Sequence, residues 1–149
     1  MKTIQKQIPD GYEIDNFDPK KGEVKFKKIP KDIKDRIKTF DDVLKENGIT
    51  RKEFEKTCKD LPPHKIASNM IEEITKAVNE DWVADWYNHS QYKYIPYFIC
   101  SASGGFSYYG CDTWLSYSYV GVRLCYKSSD LATHFGKLFS DIYKDFLTA

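Results

Sequence analysis

Along this chain the hydrophobic positions change rhythm twice. They alternate with polar ones over roughly the first thirty residues, then recur at spacings of three and four from Phe40 to Val78, and then merge into an aromatic stretch. Alternation marks a strand with one sheltered side, whereas spacings of three and four mark one side of a helix.

Ile8-Pro9-Asp10-Gly11-Tyr12-Glu13-Ile14 reads as an extended segment punctuated by a Pro-Asp-Gly turn. Gly22-Glu23-Val24-Lys25-Phe26-Lys27-Lys28-Ile29 alternates apolar with charged residues and predicts a strand that pairs with the first segment around Asp18-Pro19-Lys20-Lys21-Gly22. Thr39 caps a short helix carrying Phe40, Val43 and Leu44, which Asn47-Gly48 ends. Thr50-Arg51-Lys52-Glu53 has the form of a capping box and opens a second short helix to about Lys59. Pro62 and Pro63 introduce a third, with Ile66, Met70, Ile71, Ile74, Ala77 and Val78 on one side, running to about Asn79.

The runs Tyr92 to Ser101, Phe106 to Tyr109, Trp114 to Tyr117 and Val120 to Lys127 are rich in aromatic and β-branched residues, with breaks at Gly104-Gly105 and Gly110, and predict an antiparallel meander. Ser128, Ser129 or Asp130 caps a final amphipathic helix carrying Leu131, Phe135, Leu138, Phe139, Ile142 and Phe146. The expected fold is α+β. One antiparallel sheet, made of the N-terminal hairpin and the aromatic meander, packs on helices, and residues 1–149 form a single domain of three parts, 1–80, 81–127 and 128–149.

Composition sharpens the middle of this picture. Residues 81–126 hold 14 of the 23 aromatic side chains but only five of the 45 charged ones, so this stretch is either a core or a stacking surface. In one frame of Tyr92 to Cys100, Tyr92, Tyr94 and Phe98 face one side; in the other, Lys93, Ile95 and Tyr97 do. The candidate ligand-binding residues are Tyr92, Tyr94, Phe98, Tyr108, Tyr109, Trp114 and Tyr117, with Arg123 and Lys127 as cations beside them. Trp82 and Trp86, four apart, would share one face of a helical turn as a ring slot or as a plug between helix and sheet.

The net charge of +1 argues neither for nor against a polyanion, but residues 20–38 hold nine Lys or Arg against three acids. Within that patch Lys25, Lys27, Lys28, Lys31 and Lys34 are the candidate phosphate contacts. Cys58, Cys100, Cys111 and Cys125 include no CxxC pair, so neither a disulfide framework nor a metal site is expected, and Cys100 and Cys125 read as buried thiols. Ser101-Ala102-Ser103-Gly104-Gly105 reads as a hairpin loop rather than an anion cradle, and no cofactor motif is present. A Ser–His or Cys–His nucleophile pair meets in space rather than in sequence, and His64, His89 and His134 are the available bases. No apolar run is long enough to serve as a signal peptide or span a bilayer, which places the chain in the cytoplasm.

Ile8-Pro9-Asp10-Gly11-Tyr12-Glu13-Ile14-Asp15, Val24 to Lys28, Asn79-Glu80-Asp81-Trp82-Val83-Ala84-Asp85-Trp86, Lys93-Tyr94 and Arg123-Leu124-Cys125-Tyr126-Lys127-Ser128 through Phe146 resemble an uncharacterised set of small proteins from Bacteroidetes-type phages, prophages and mobile elements. Where relatives tend to have Pro before the Asp-Trp pair, this chain has Ala84. The resemblance implies a mobile-element origin and an intracellular accessory role, and it carries over no catalytic residue. Residues and resemblance together predict a non-enzymatic protein that binds a host or phage protein. The alternatives are single-stranded nucleic acid or a nucleotide on the aromatic face, a homodimer through that face and, more remotely, a hydrolase.

Overall fold

A computed structural model describes residues 7–118 and 123–149. Val120, Gly121 and Val122, which open the last expected strand, lie outside the described residues. The fold is α+β and falls into two compact units, one through Arg36 and the other from Ile37 to Ala149. The two hairpins form separate two-stranded sheets rather than the one sheet expected.

In the first unit, strands β1 (Tyr12–Asp18) and β2 (Glu23–Lys28) pair antiparallel, followed by the single-turn helix α1 (Ile33–Arg36). Asp18 closes the turn with its carbonyl on Gly22 N (2.8 Å) and its carboxylate on Lys20 N (2.9 Å), and Gly22 takes the positive φ that the turn requires. The Pro-Asp-Gly turn expected in this segment is present, with Tyr12 N donating to Pro9 O, and the strand begins after it.

The register passes from Ile14↔Phe26 to Asn16↔Lys25, so Asp15 is an extra residue on β1. This bulge decides which residues share a face. Val24 and Phe26 alternate onto one side of β2, and their partners Phe17 and Ile14 join them there although they stand three apart in sequence. Lys25 and Lys27 take the other side, where Lys27 pairs with Glu13 at 3.5 Å. The ribbon therefore has an apolar and a charged face, yet Ile14 and Phe17 remain 51% and 56% exposed.

The second unit has a proper core. Helices α2 (Phe40–Glu46) and α3 (Arg51–Thr57) each open on a reciprocal capping box, Thr39 with Asp42 and Thr50 with Glu53, and Phe40 meets Phe54 edge-on at 5.0 Å. Helix α4 (Pro63–Asn79) buries Ile71, Ile74, Ala77 and Val78 of the stripe that its spacing predicts, together with Ala67, while Ile66 and Met70 of that stripe are half-buried. Burying each such Ile or Val contributes about 1.5–3 kcal/mol.

Strands β3 (Lys93–Cys100) and β4 (Phe106–Trp114) make the second hairpin. Among the described residues its third member is a bridge, Tyr94 to Tyr126, where a longer meander was expected. That bridge explains how Pro96 fits in a strand: Tyr94 directs its N–H and C=O to Tyr126, so Pro96, two residues on, turns its missing donor toward the same edge beyond the bridge. The expected single C-terminal helix is two, α5 (Ser129–Leu138) and α6 (Ser140–Thr148), parted at Phe139, whose φ and ψ of −106° and 27° leave the helical region. The break lets each piece follow its own partner, because α5 packs on the β3–β4 hairpin and α6 chiefly on α4. At the α5 contact Gly136 is required: a Cβ there would stand 2.7 Å from the Pro96 Cβ and 3.2 Å from the Tyr108 ring.

Candidate functional site

The β3–β4 hairpin has two unlike faces. Phe98 stacks on Phe106 (4.9 Å) and on Tyr143 of α6 (4.8 Å), and Tyr108 hydrogen-bonds Thr133 of α5 at 3.0 Å with the Lys137 ammonium over its ring. The frame containing Tyr94 and Phe98, expected as a binding side, thus turns toward helices, and Phe98 and Tyr108 act mainly as packing. The opposite frame carries Ile95, Tyr97 and Ile99. Tyr109, the extra residue where the register shifts, meets Tyr97 edge-on at 5.7 Å, and these rings are 69% and 52% exposed. Tyr92 and Tyr117 are also exposed, with Tyr92 beside half-buried Tyr94 and Tyr117 edge-on to half-buried Trp114.

Below Tyr97 and Ile95 on that frame lies Lys93, which is fully buried. Its ammonium donates to the carbonyls of Asp85, Asn88 and Gln91 and stands 5.0 Å from the Trp86 ring centroid, so the charge is satisfied by three dipoles and a π face. Gln91 adds two bonds, accepting from Asp85 N (2.6 Å) and donating to Val83 O (3.1 Å). Residues 81–92 are therefore held in place without a helix or strand, contrary to the helical turn expected for Trp82 and Trp86. Lys93 had one signal in the sequence: it is the only lysine in the aromatic block.

That loop forms one wall of a cleft of about 770 Å³ beside the C-terminal end of α4. Trp82, Val83, Ala84 and Trp86 line it together with Thr75, Lys76, Asn79 and Glu80 from the helix side, and Arg123 and Cys125 complete it. Asn79 is committed to structure: its amide donates to Cys125 O (2.7 Å) and accepts from Lys127 N (2.9 Å), as a neighbouring strand would. The Lys127 ammonium is held by Glu80 at 2.8 Å, which gives that candidate a structural bond. Glu80 takes φ 53° and ψ −123°, and Trp82 N bonds back to Asn79 O, a turn geometry that favours glycine and costs a carboxylate residue about 1–3 kcal/mol. Burial lifts the Cys125 thiol to about 11, so it stays protonated and inert on the cleft wall.

The lysine candidates of the first unit are less of a patch than their spacing suggested. Lys27 and Lys34 have acidic neighbours, Glu13 and Asp32, while Lys25, Lys28 and Lys31 are exposed. The Ser101–Gly105 loop uses its hydroxyls internally: Ser101 Oγ accepts from Gly105 N and contacts Ser103 Oγ, both at 2.9 Å. Cys125 is buried as expected, but Cys100, near the hairpin tip, is exposed.

His89 Nδ1 lies 2.7 Å from Ser116 Oγ, a Ser–His contact of the kind a nucleophile pair requires. It sits in exposed loops and no carboxylate bonds the imidazole among those residues, so the orienting group of an activated serine is missing there. Among the described residues, no three His, Cys, Asp or Glu side chains gather as a metal site, and no helix is long and apolar enough to cross a membrane. No protein-family model matches the sequence, and neither a curated protein nor a solved structure is significantly similar to it.

Proposed function

We propose that this chain is a small accessory protein of phage or mobile-element origin that works by binding another protein through the outer face of the β3–β4 hairpin. The observation that carries this reading is the chemistry of that face: Tyr97, Ile99 and Tyr109 stand open, while the two strands carry just two charged residues, Lys93, which is buried, and Asp112, which is exposed. A surface rich in tyrosine and poor in charge suits a protein partner, whereas single-stranded nucleic acid needs cations along its phosphates. The aromatic rings do not stand among such cations. Arg123 lines the α4 cleft instead, and Lys127 is bonded to Glu80.

The test compares partners captured from a Bacteroidetes host lysate by the wild-type chain and by a Tyr97→Ser/Tyr109→Ser variant. A partner retained by the first at raised salt and lost by the second supports the reading; identical capture overturns it. Titration with single-stranded DNA at about 50 mM salt decides the nucleic-acid alternative, since affinity that falls steeply with salt would transfer the function to phosphate recognition. Sedimentation at micromolar concentration shows whether the partner is a second copy.

A further inference from the structure

The cleft beside α4 has a different character from the hairpin face. Its 770 Å³ lies within the range of roughly 300–1,000 Å³ typical of small-molecule sites, and it combines two indoles with mixed charge. Trp86 already has an ammonium on its ring from Lys93. A second cation stacked on that indole would be repelled by Lys93, which favours a neutral ring as the stacked group.

The charges on the lining lean the same way. Glu80 is neutralised by Lys127, leaving Lys76 and Arg123 against Glu72. Neither cation is bonded to an acidic side chain among the described residues, and Arg123 is exposed at the rim. The stapling of residues 83–91 by Lys93 and Gln91, with Trp82 N bonded back to Asn79 O, sets the backbone that carries both indoles before any ligand arrives, so binding does not have to meet the cost of ordering the loop.

We propose that this cleft binds a small anion carrying a planar ring, of the nucleoside monophosphate class, with Trp82 and Trp86 taking the ring and Arg123 and Lys76 the phosphate. The site is separate from the protein-binding face, and either can fail without the other. Cys125 and Asn79 serve it only as wall and frame.

The three tryptophans, Trp82, Trp86 and Trp114, all lie in the second unit, so intrinsic fluorescence reports on the cleft. Titration with AMP, GMP, CMP and UMP should give saturable quenching by at least one of them below about 1 mM. Arg123→Gln should weaken that nucleotide about tenfold, the loss of one charge-assisted contact, while leaving the circular dichroism spectrum unchanged. Trp82→Ala should abolish binding measured by calorimetry. The parent nucleoside and inorganic phosphate, each alone, should bind more weakly than the nucleotide. No saturable quenching by any of the four overturns the proposal. So does a nucleoside that binds as tightly as its monophosphate, which removes the anion, or phosphate that binds as tightly, which removes the ring. Affinity unchanged in both Arg123→Gln and Trp82→Ala places the ligand elsewhere.

Discussion

Both hairpins of this chain are antiparallel, two-stranded and interrupted by one extra residue, yet Phe98 and Tyr108 of the second are packed under α5 and α6 while Ile14 and Phe17 of the first are more than half exposed. Alternation is present in both and is sufficient to make strands. Burial needs a second layer, and among the described residues of its own unit the first hairpin has only the one-turn α1. Side-chain pattern thus specifies which face would be covered, and the neighbouring elements determine whether it is.

The sharpest way to break this contrast is to delete a ring from each hairpin. Phe98→Ala removes a ring stacked on both Phe106 and Tyr143 and should cost about 3 kcal/mol, whereas Phe17→Ala should change stability by less than about 0.5 kcal/mol. Urea unfolding followed by tryptophan fluorescence measures both against the second unit, and equal losses would mean that the first hairpin is packed as tightly as the second. A smaller effect is expected at Tyr143, whose hydroxyl lies 2.9 Å from that of Tyr126 under complete burial. Tyr143→Phe leaves the Tyr126 hydroxyl buried without this partner and should cost about 1–2 kcal/mol in the same assay, sharpening the view that α6 secures the inner layer by more than ring contact.

The smallest effect appears only in alkali. Burial raises the Cys125 thiol from 9.0 to about 11, so the folded chain keeps a proton that the unfolded chain gives up. Its contribution is full below pH 9 and is lost as pH rises toward 11, because the unfolded state then binds fewer protons. Tyr126 and Tyr143, raised chiefly by burial from 10.0, act in the same direction above pH 10. Melting temperature should therefore fall from pH 9 upward, and Cys125→Ala should flatten the part between 9 and 10. An unchanged slope would remove Cys125 as its source.

Much of this architecture is legible in the residues. Thr39 and Thr50 announce α2 and α3 because capping is a local bond, and the α4 stripe is legible because helical periodicity is local too. Long-range choices are not. Which frame of β3 meets the helices depends on Gly136 admitting Pro96 and Tyr108, and the break at Phe139 depends on α5 and α6 having different partners. The candidate residues divide in the same manner. Tyr109 and Tyr117 are open as their composition suggested, but Phe98, Tyr108 and Lys127 were drawn into packing and pairing by segments distant in sequence. The cleft was harder still to foresee, since Lys93 and Gln91 set the loop through bonds to carbonyls that any residue could supply.

Asp15 gives the first hairpin an arithmetic property. Replacing its side chain leaves the count of residues unchanged, so Ile14 and Phe17 should keep their common orientation whatever stands between them. Removing the residue altogether would leave Ile14 and Phe17 two apart in a continuous one-to-one ladder and so still on one surface, which means this position tolerates shortening as well as spelling changes.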